Sequence, residues 1–308
     1  MQKFNLILSV ALFAAIGFTS CEPKPVVEPP YNGKYAEYCL ANYNGKQQNK
    51  YVYYITLSEK GVMTQDGVII AEGNLLHLQI MCSEENKEGN YYLPLEGTYS
   101  IEEKNAKMSI DYYSYVEEWG DYDIQTTKIS IGDITIKKIN NGYRIDVKYY
   151  RDGEEYNIRY EGVLKTHNYT EPTDASLTEF TVNDLQYLYN YGNYSGIDYV
   201  LFYAKNNEAN PVHCYLQFFA STGATSLPTG IYTIKSLNSY EANKVINWNP
   251  ILFKYNDEGY ISWVYYANEG GTVTVTSNGF TVNMTSRTNN RAITITYTGD
   301  LTYMDWQN

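Results

Sequence analysis

Residues 143–164, YRIDVKYYRDGEEYNIRYEGVL, return near the C-terminus as residues 280–301, FTVNMTSRTNNRAITITYTGDL, at the constant offset that separates Tyr143 from Phe280. In the first copy Tyr143, Ile145, Val147 and Tyr149 alternate with Arg144, Asp146 and Lys148. A period of two gives a strand one apolar and one wet face. The second copy repeats the period with Phe280, Val282 and Met284. Each copy is entered through an Asn-Gly pair, Asn141-Gly142 and Asn278-Gly279, the chemistry expected of a type I′ hairpin turn. The ends coincide as well, since Tyr156, Ile158, Tyr160 and Gly162 match Ile293, Ile295, Tyr297 and Gly299. A duplicated β-hairpin of this kind predicts a duplicated domain.

Composition agrees with a β fold. The chain of 308 residues holds 35 tyrosines, and Tyr with Val, Ile and Thr suits a pleated, half-buried surface better than a helix. Short strand-like runs follow one another between turn residues with no convincing helix among them. The economical solution is all-β: two tandem antiparallel meander β-barrels, since closure removes sticky edges. The first spans residues 31–164 and the second 174–308. The polar segment 165–173, KTHNYTEPT, is the boundary between them. A net charge of −12 with no Lys/Arg cluster argues against nucleic-acid binding.

Residues 1–20 have the character of a secretory signal, with Lys3 before an apolar run at 6–16 that is short for a bilayer span. Phe18-Thr19-Ser20-Cys21 resembles the lipobox at which bacterial lipoproteins are cut and acylated, in the looser form of Bacteroidota. The resemblance implies lipid on Cys21, a membrane partner through that lipid alone, and an outer-membrane location with either face possible. Residues 21–30 then form a proline-rich tether.

Landmarks of the first half recur in the second. Ala41-Asn42-Tyr43 is echoed by Tyr189-Asn190-Tyr191, Leu78-Gln79 by Leu216-Gln217, and the Leu93-Pro94 stretch up to Tyr99 by Leu227-Pro228-Thr229-Gly230-Ile231-Tyr232. The Leu-Pro-x-Gly-x-Tyr stretch, the Gly-Thr-Val-Thr-Val strand, the Asn-Gly turn and the closing Tyr-Thr-Gly-x-Leu resemble calycin-like, lipocalin-resembling barrel modules of Bacteroidota lipoproteins. That likeness implies a small ligand at a barrel mouth.

Chemistry-bearing residues are sparse. Beyond Cys21 stand Cys39, Cys82 and Cys214, and either a Cys39–Cys82 disulfide or reduced, buried thiols fit an exported chain. His77, His167 and His213 are scattered, and no zinc spacing, HExxH or GxSxG occurs. Carboxylates gather at Glu117-Glu118-Trp119-Gly120-Asp121-Tyr122-Asp123, a pattern expected of a solvated acidic hairpin tip. No cofactor or metal site follows from these residues, and no enzyme is expected.

Aromatic rings are the abundant resource, and a sugar ring can stack on them. Consecutive strand residues face opposite ways, so Tyr112 and Tyr113 cannot both enter the core, nor can Tyr265 and Tyr266. The candidate platforms are Trp119 with Tyr112 or Tyr113, and Trp263 with Tyr265 or Tyr266. The expected function is a lipid-anchored envelope module that binds a glycan, small ligand or protein. The alternative is a structural or adhesion component of the envelope.

Overall fold

The computed structural model describes residues 30–64, 68–100, 108–110, 114–120, 124–236 and 240–304. Strands form wherever the period of two runs unbroken, and the described residues hold no helix. The first half contains β1 (Lys34–Ala36), β2 (Tyr38–Gln47), β3 (Lys50–Ser58), β4 (Gly73–Cys82), β5 (Lys87–Glu88), β6 (Tyr91–Tyr92) and β7 (Gly97–Ser100). It continues with β8 (Met108–Ile110), β9 (Tyr115–Trp119), β10 (Ile124–Lys128), β11 (Ser130–Ile139), β12 (Gly142–Arg151), β13 (Glu154–Gly162) and β14 (Thr166–Asn168). The second half contains β15 (Glu179–Val182), β16 (Asp184–Tyr194), β17 (Ile197–Lys205), β18 (Val212–Ser221), β19 (Gly230–Lys235) and β20 (Lys244–Ile246). It ends with β21 (Leu252–Tyr255), β22 (Ile261–Tyr265), β23 (Thr272–Thr276), β24 (Gly279–Thr285) and β25 (Ala292–Thr298).

These strands make two tandem barrel modules of one design. The first barrel runs β13-β12-β11-β7-β8-β4-β3-β2, and the second runs β25-β24-β23-β19-β20-β18-β17-β16. Both are meanders interrupted at the same place, where β7 lies parallel to β8 and β19 parallel to β20. Both also close the same way. β1 pairs in parallel with the last strand β13, and one residue later β2 pairs with β3; β15 and β16 repeat this on β25 and β17. The hinge residues make matching bonds, Glu37 N–H to the Ser58 carbonyl at 3.0 Å and Asn183 N–H to the Lys205 carbonyl at 3.1 Å.

Two separate cores result. Ile55, Leu78, Ile80, Ile134, Ile145 and Tyr160 belong to the first, and Phe202, Leu216, Phe218, Ile234, Val282 and Tyr297 to the second. In the second barrel the rings of Phe202, Phe218, Tyr232, Phe280 and Tyr297 meet at 4.8–6.4 Å, so side chains fill its interior. Buried tyrosines repeat their hydrogen bonds. Tyr99 donates to the Leu95 carbonyl at 2.7 Å and Tyr232 to the Pro228 carbonyl at 3.0 Å. Tyr160 donates to the Val163 carbonyl at 3.0 Å and Tyr297 to the Asp300 carbonyl at 3.2 Å.

The duplicated glycines have a different reason from the one expected. Asn140, Asn141, Ser277 and Asn278 keep negative φ, so neither hairpin turn is type I′. Gly142 (φ 131°) and Gly279 (φ 132°) instead open the strands β12 and β24, where a Cβ would collide with the carbonyl oxygens of Gly162 and Tyr297 respectively. Left-handed pairs do occur at Gln48-Asn49, Asp152-Gly153 and Ser195-Gly196, the turns that join β2 to β3, β12 to β13 and β16 to β17.

The boundary segment is ordered and bonded to both modules, and residues 33–308 form one compact unit. β14 pairs in parallel with β2 of the first barrel. Towards the second barrel, Asn168 Nδ2 donates to the Ser262 carbonyl at 2.8 Å, Ile261 N–H to His167 Nδ1 at 2.9 Å, and Val264 N–H to the Thr170 carbonyl at 2.9 Å. Buried Glu171 accepts from Ser286 Oγ (2.9 Å), Thr288 N–H (2.7 Å), and Asn289 Nδ2 (2.9 Å) in the β24–β25 turn. Arg291 closes the same knot on the Pro172 carbonyl at 2.8 Å.

Candidate functional site

Of the platform residues singled out from sequence, Trp119, Trp263, Tyr265 and Tyr266 are described. Cys21, Tyr112 and Tyr113 lie outside the described residues, as do Asp121, Tyr122 and Asp123. Trp119 ends β9 and packs into a small cluster with Val62, Met63 and Leu75, its Nε1 donating to Glu117 Oε2 at 3.1 Å. Tyr265 is fully buried and donates to the Leu177 carbonyl at 2.8 Å. Trp263 is half-buried against it, ring edge to face at 5.7 Å, and Tyr266 carries the Arg287 guanidinium 5.0 Å over its ring. At Tyr265 and Tyr266 one ring does face away from the core, but Trp263 and Tyr265 pack on each other rather than offering two open faces.

Glu117 and Glu118 are not a solvated tip. Both sit within β9, paired to β4 and β10, with their side chains on opposite faces of the strand. Glu118 binds Arg151 through two hydrogen bonds of 2.7 and 3.0 Å. Glu117 accepts from Trp119 and lies 3.2 Å from His77 Nε2, while His77 Nδ1 lies 3.0 Å from Thr56 Oγ1. The row Thr56, His77, Glu117 crosses β3, β4 and β9 and fastens β9 to the barrel. Burial lowers the His77 pKa, against the pull of Glu117, which favours the neutral ring.

Cys39, Cys82 and Cys214 are free thiols: Cys82 is buried beside the Tyr99 hydroxyl at 3.2 Å, and burial pushes the thiols of Cys39 and Cys214 up. Both thiols therefore behave as small apolar side chains. Among the described residues no group of three or more His, Cys, Asp or Glu is placed to hold a metal.

The aromatic site that the structure does assemble lies on the outer face of the second barrel. Residues 243–250, NKVINWNP, run from β20 into a loop that places Trp248 beside the outward side chains of β17 and β18. Tyr194, Tyr199, Tyr240 and Trp248 wall a groove of about 310 Å3 floored by Phe219 and Ile246. Trp248 is 59% exposed and Tyr194 and Tyr240 are each 51% exposed, whereas Phe219 and Ile246 are buried. Tyr199 meets Tyr194 edge-on at 6.1 Å and Phe219 at 5.7 Å, so neighbouring rings hold the walls in place.

Two amides, Gln217 and Asn249, complete the lining, and among the described residues no charged side chain contributes. Gln217 Nε2 donates to the Tyr199 hydroxyl at 2.7 Å and to the Tyr215 hydroxyl at 3.1 Å, which fixes the amide. Burial raises the pKa of both tyrosines, so their hydroxyls stay protonated at neutral pH. The groove can therefore offer ring faces and neutral hydrogen-bonding groups.

A second, more polar cleft of about 520 Å3 lies where the boundary segment meets the second barrel, lined by Asn168, Thr170, Lys254, Tyr255, Asn256 and Trp263 among others. Trp248 carried a sequence signal that alternation does not capture. A tryptophan between two asparagines and just before Pro250 sits in turn chemistry, where a large ring has no strand face to be buried on. No family model, curated protein or solved structure matches the chain.

Proposed function

We propose that the protein is a non-enzymatic binding module of the bacterial cell envelope, lipid-anchored through Cys21, and that its ligand is a neutral glycan held on the outer face of the second barrel. One observation carries the reading: the exposed Trp248 ring stands over an uncharged groove walled by three tyrosines and supplied with two amides. Pyranose rings present apolar C–H faces and hydroxyl edges, which match ring faces and neutral donors and acceptors. The filled interior of the second barrel favours this outer site over a ligand held within it, as the likeness to lipocalins would have implied. The strand count and closing N-terminal strand support the calycin-like kinship, and the parallel pair is a departure from the plain up-and-down barrel.

The alternative, a structural envelope component, draws on the boundary segment bonded to both modules, since a rigid pair of barrels suits a spacer. A glycan-array screen of the soluble chain from Tyr31 onward separates the two. Binding that weakens at least about tenfold in Trp248→Ala, with unchanged thermal unfolding, supports the module. No binding to any glycan moves the weight to the spacer. Anchoring is checked separately by labelled palmitate, whose incorporation should vanish in Cys21→Ala.

A further inference from the structure

The Trp248 groove is one end of a longer aromatic surface. From Tyr199 in the groove the rings continue to Tyr191 (6.1 Å between centroids), Tyr189 (6.4 Å) and Tyr187 (5.2 Å) along the outer face of β16. There the row turns across the sheet. Tyr187 touches Tyr203 of β17 at 5.2 Å, Tyr203 touches His213 of β18 at 5.7 Å, and His213 touches Phe253 of β21 at 5.2 Å. Phe253 meets Tyr255 at 5.6 Å, and Tyr255 lines the 520 Å3 cleft together with Trp263. The path covers four residues of β16, about 13 Å, and three strand spacings, about 14 Å.

We infer that the ligand of this site is a linear neutral polysaccharide chain, bound along the whole path from the Trp248 groove to the Trp263 cleft, and not a single sugar or a disaccharide. This rests on the glycan-binding reading of the groove.

The surface has the properties such a chain requires. The rings of Tyr203, His213 and Phe253 lie within 9–11° of parallel in an offset stack, with His213 buried between the half-buried Tyr203 and Phe253, so the two outer rings are the ones a ligand can reach. Tyr203 and His213 share a hydrogen bond of 2.7 Å, and burial lowers the His213 pKa, which favours its neutral ring, while the neighbouring Lys205 is paired with Asp184. Between the two cavities the face combines apolar area with phenol hydroxyls, and the cleft at its far end adds the amides of Asn168 and Asn256 among charged groups of both signs, Lys87 and Lys254 with Asp257 and Glu258, which can hydrogen-bond sugar hydroxyls. Association with a chain that spans several ring platforms strengthens with length, because each added unit is held by a further platform at little extra entropic cost.

The test uses maltose-, cellobiose-, xylobiose- and mannobiose-derived oligomers, from each disaccharide to the longest soluble chain, titrated against the soluble chain from Tyr31 onward. Affinity should rise at least about tenfold from disaccharide to longest chain for the series that binds. Tyr189→Ala and Tyr203→Ala should bring long-chain affinity down to the disaccharide level and leave disaccharide affinity unchanged. Trp248→Ala should weaken both. Tyr191→Ala, at a ring 41% exposed, repeats the measurement where removal of the ring leaves the barrel core untouched. Equal affinity for short and long chains overturns the extended site while the groove reading survives, and so does long-chain binding that all three tyrosine variants leave intact. Absence of binding by every oligomer, with none on a glycan array, overturns the groove reading and this inference with it.

Discussion

The two barrels share the buried contacts made to backbone and differ most on their outer faces. Inside, Tyr99 and Tyr232, Tyr160 and Tyr297, and the glycines that open β12 and β24 make the same contacts in both. Outside, the cross-strand pair Thr56 and His77 of the first barrel stands where the second has Tyr203 and Tyr215. The first set leads to Glu117 through hydrogen bonds, and the second lies in a continuous field of rings. Interior positions that bond to or abut opposing backbone are kept in both copies, whereas packed apolar positions change size together, as Ala41, Ile55 and Ile80 become Leu188, Phe202 and Phe218. The outer face carries no such constraint. Differences between the copies therefore mark where a ligand-specific surface can be sought, and the marks fall on β16, β17, β18 and β21.

The strongest challenge to the shared interior is a pair of substitutions. Gly142→Val and Gly279→Val should each destabilise by about 3 kcal/mol, since each adds a β-branched side chain at positive φ and against a backbone carbonyl. Denaturant unfolding should show similar losses, and a large loss at only one position would break the equivalence. Glu171→Ala comes next, at about 2 kcal/mol, because it takes the acceptor away from the buried Ser286 hydroxyl and from the Thr288 and Asn289 donors of the turn. Its Gln counterpart should recover part of that loss. Tyr232→Phe should cost about 1 kcal/mol by freeing the Pro228 carbonyl, and Tyr99→Phe a comparable amount.

The smallest effect concerns pH. Burial is the leading cause of the lowered His213 pKa, with Lys205 acting in the same direction. A histidine whose folded pKa lies below its unfolded value of about 6.5 binds more protons when unfolded. Its contribution is complete above that value and is lost as the pH falls below it. His213→Phe keeps a ring between Tyr203 and Phe253, so the midpoint of thermal unfolding should fall less steeply in the variant than in the parent between neutral and mildly acidic pH. An unchanged slope would mean that His213 takes up its proton equally in the folded and unfolded states.

Much of the interior was legible because it rests on local patterns. Alternation through residues 143–149 and 280–284 identified the strands, and the Leu-Pro stretches leading to Tyr99 and Tyr232 identified equivalent places in the two copies, where each tyrosine proves to bond back to the chain four residues earlier. Non-local pairing was not legible. Nothing in residues 97–110 signals that β7 and β8 lie parallel, since the chain between them decides their order. The offset between copies also drifts, from that of Gly142 and Gly279 to that of Lys50 and Ile197. Asymmetric bulges in β2 and β16 add to the drift, and they moved one landmark: Leu188, not Tyr189, takes the buried place of Ala41. A slip of one residue in a strand exchanges the two faces, so Tyr189 stands on the outer sheet. The aromatic groove escaped because its rings come from β17, β18 and the loop at Trp248, far apart in sequence, while the chosen Trp119 and Trp263 were judged by their neighbours along one strand.

The closing seam bears on how the chain reaches its fold. β1 must wait for β13, and β15 for β25, so neither barrel can be completed until its final hairpin has emerged. Pairings of such wide sequence separation form late and slowly. The final hairpins are also near copies of each other, which exposes β1 to capture by β25 in place of β13, a mispairing characteristic of tandem repeats. The Glu171 carboxylate lies on the chain just ahead of β15 and recognises the 286–289 turn of the second hairpin through its hydroxyl, amide and backbone donors. It gives that hairpin an address that the apolar alternation alone does not supply, and directs it to its own barrel.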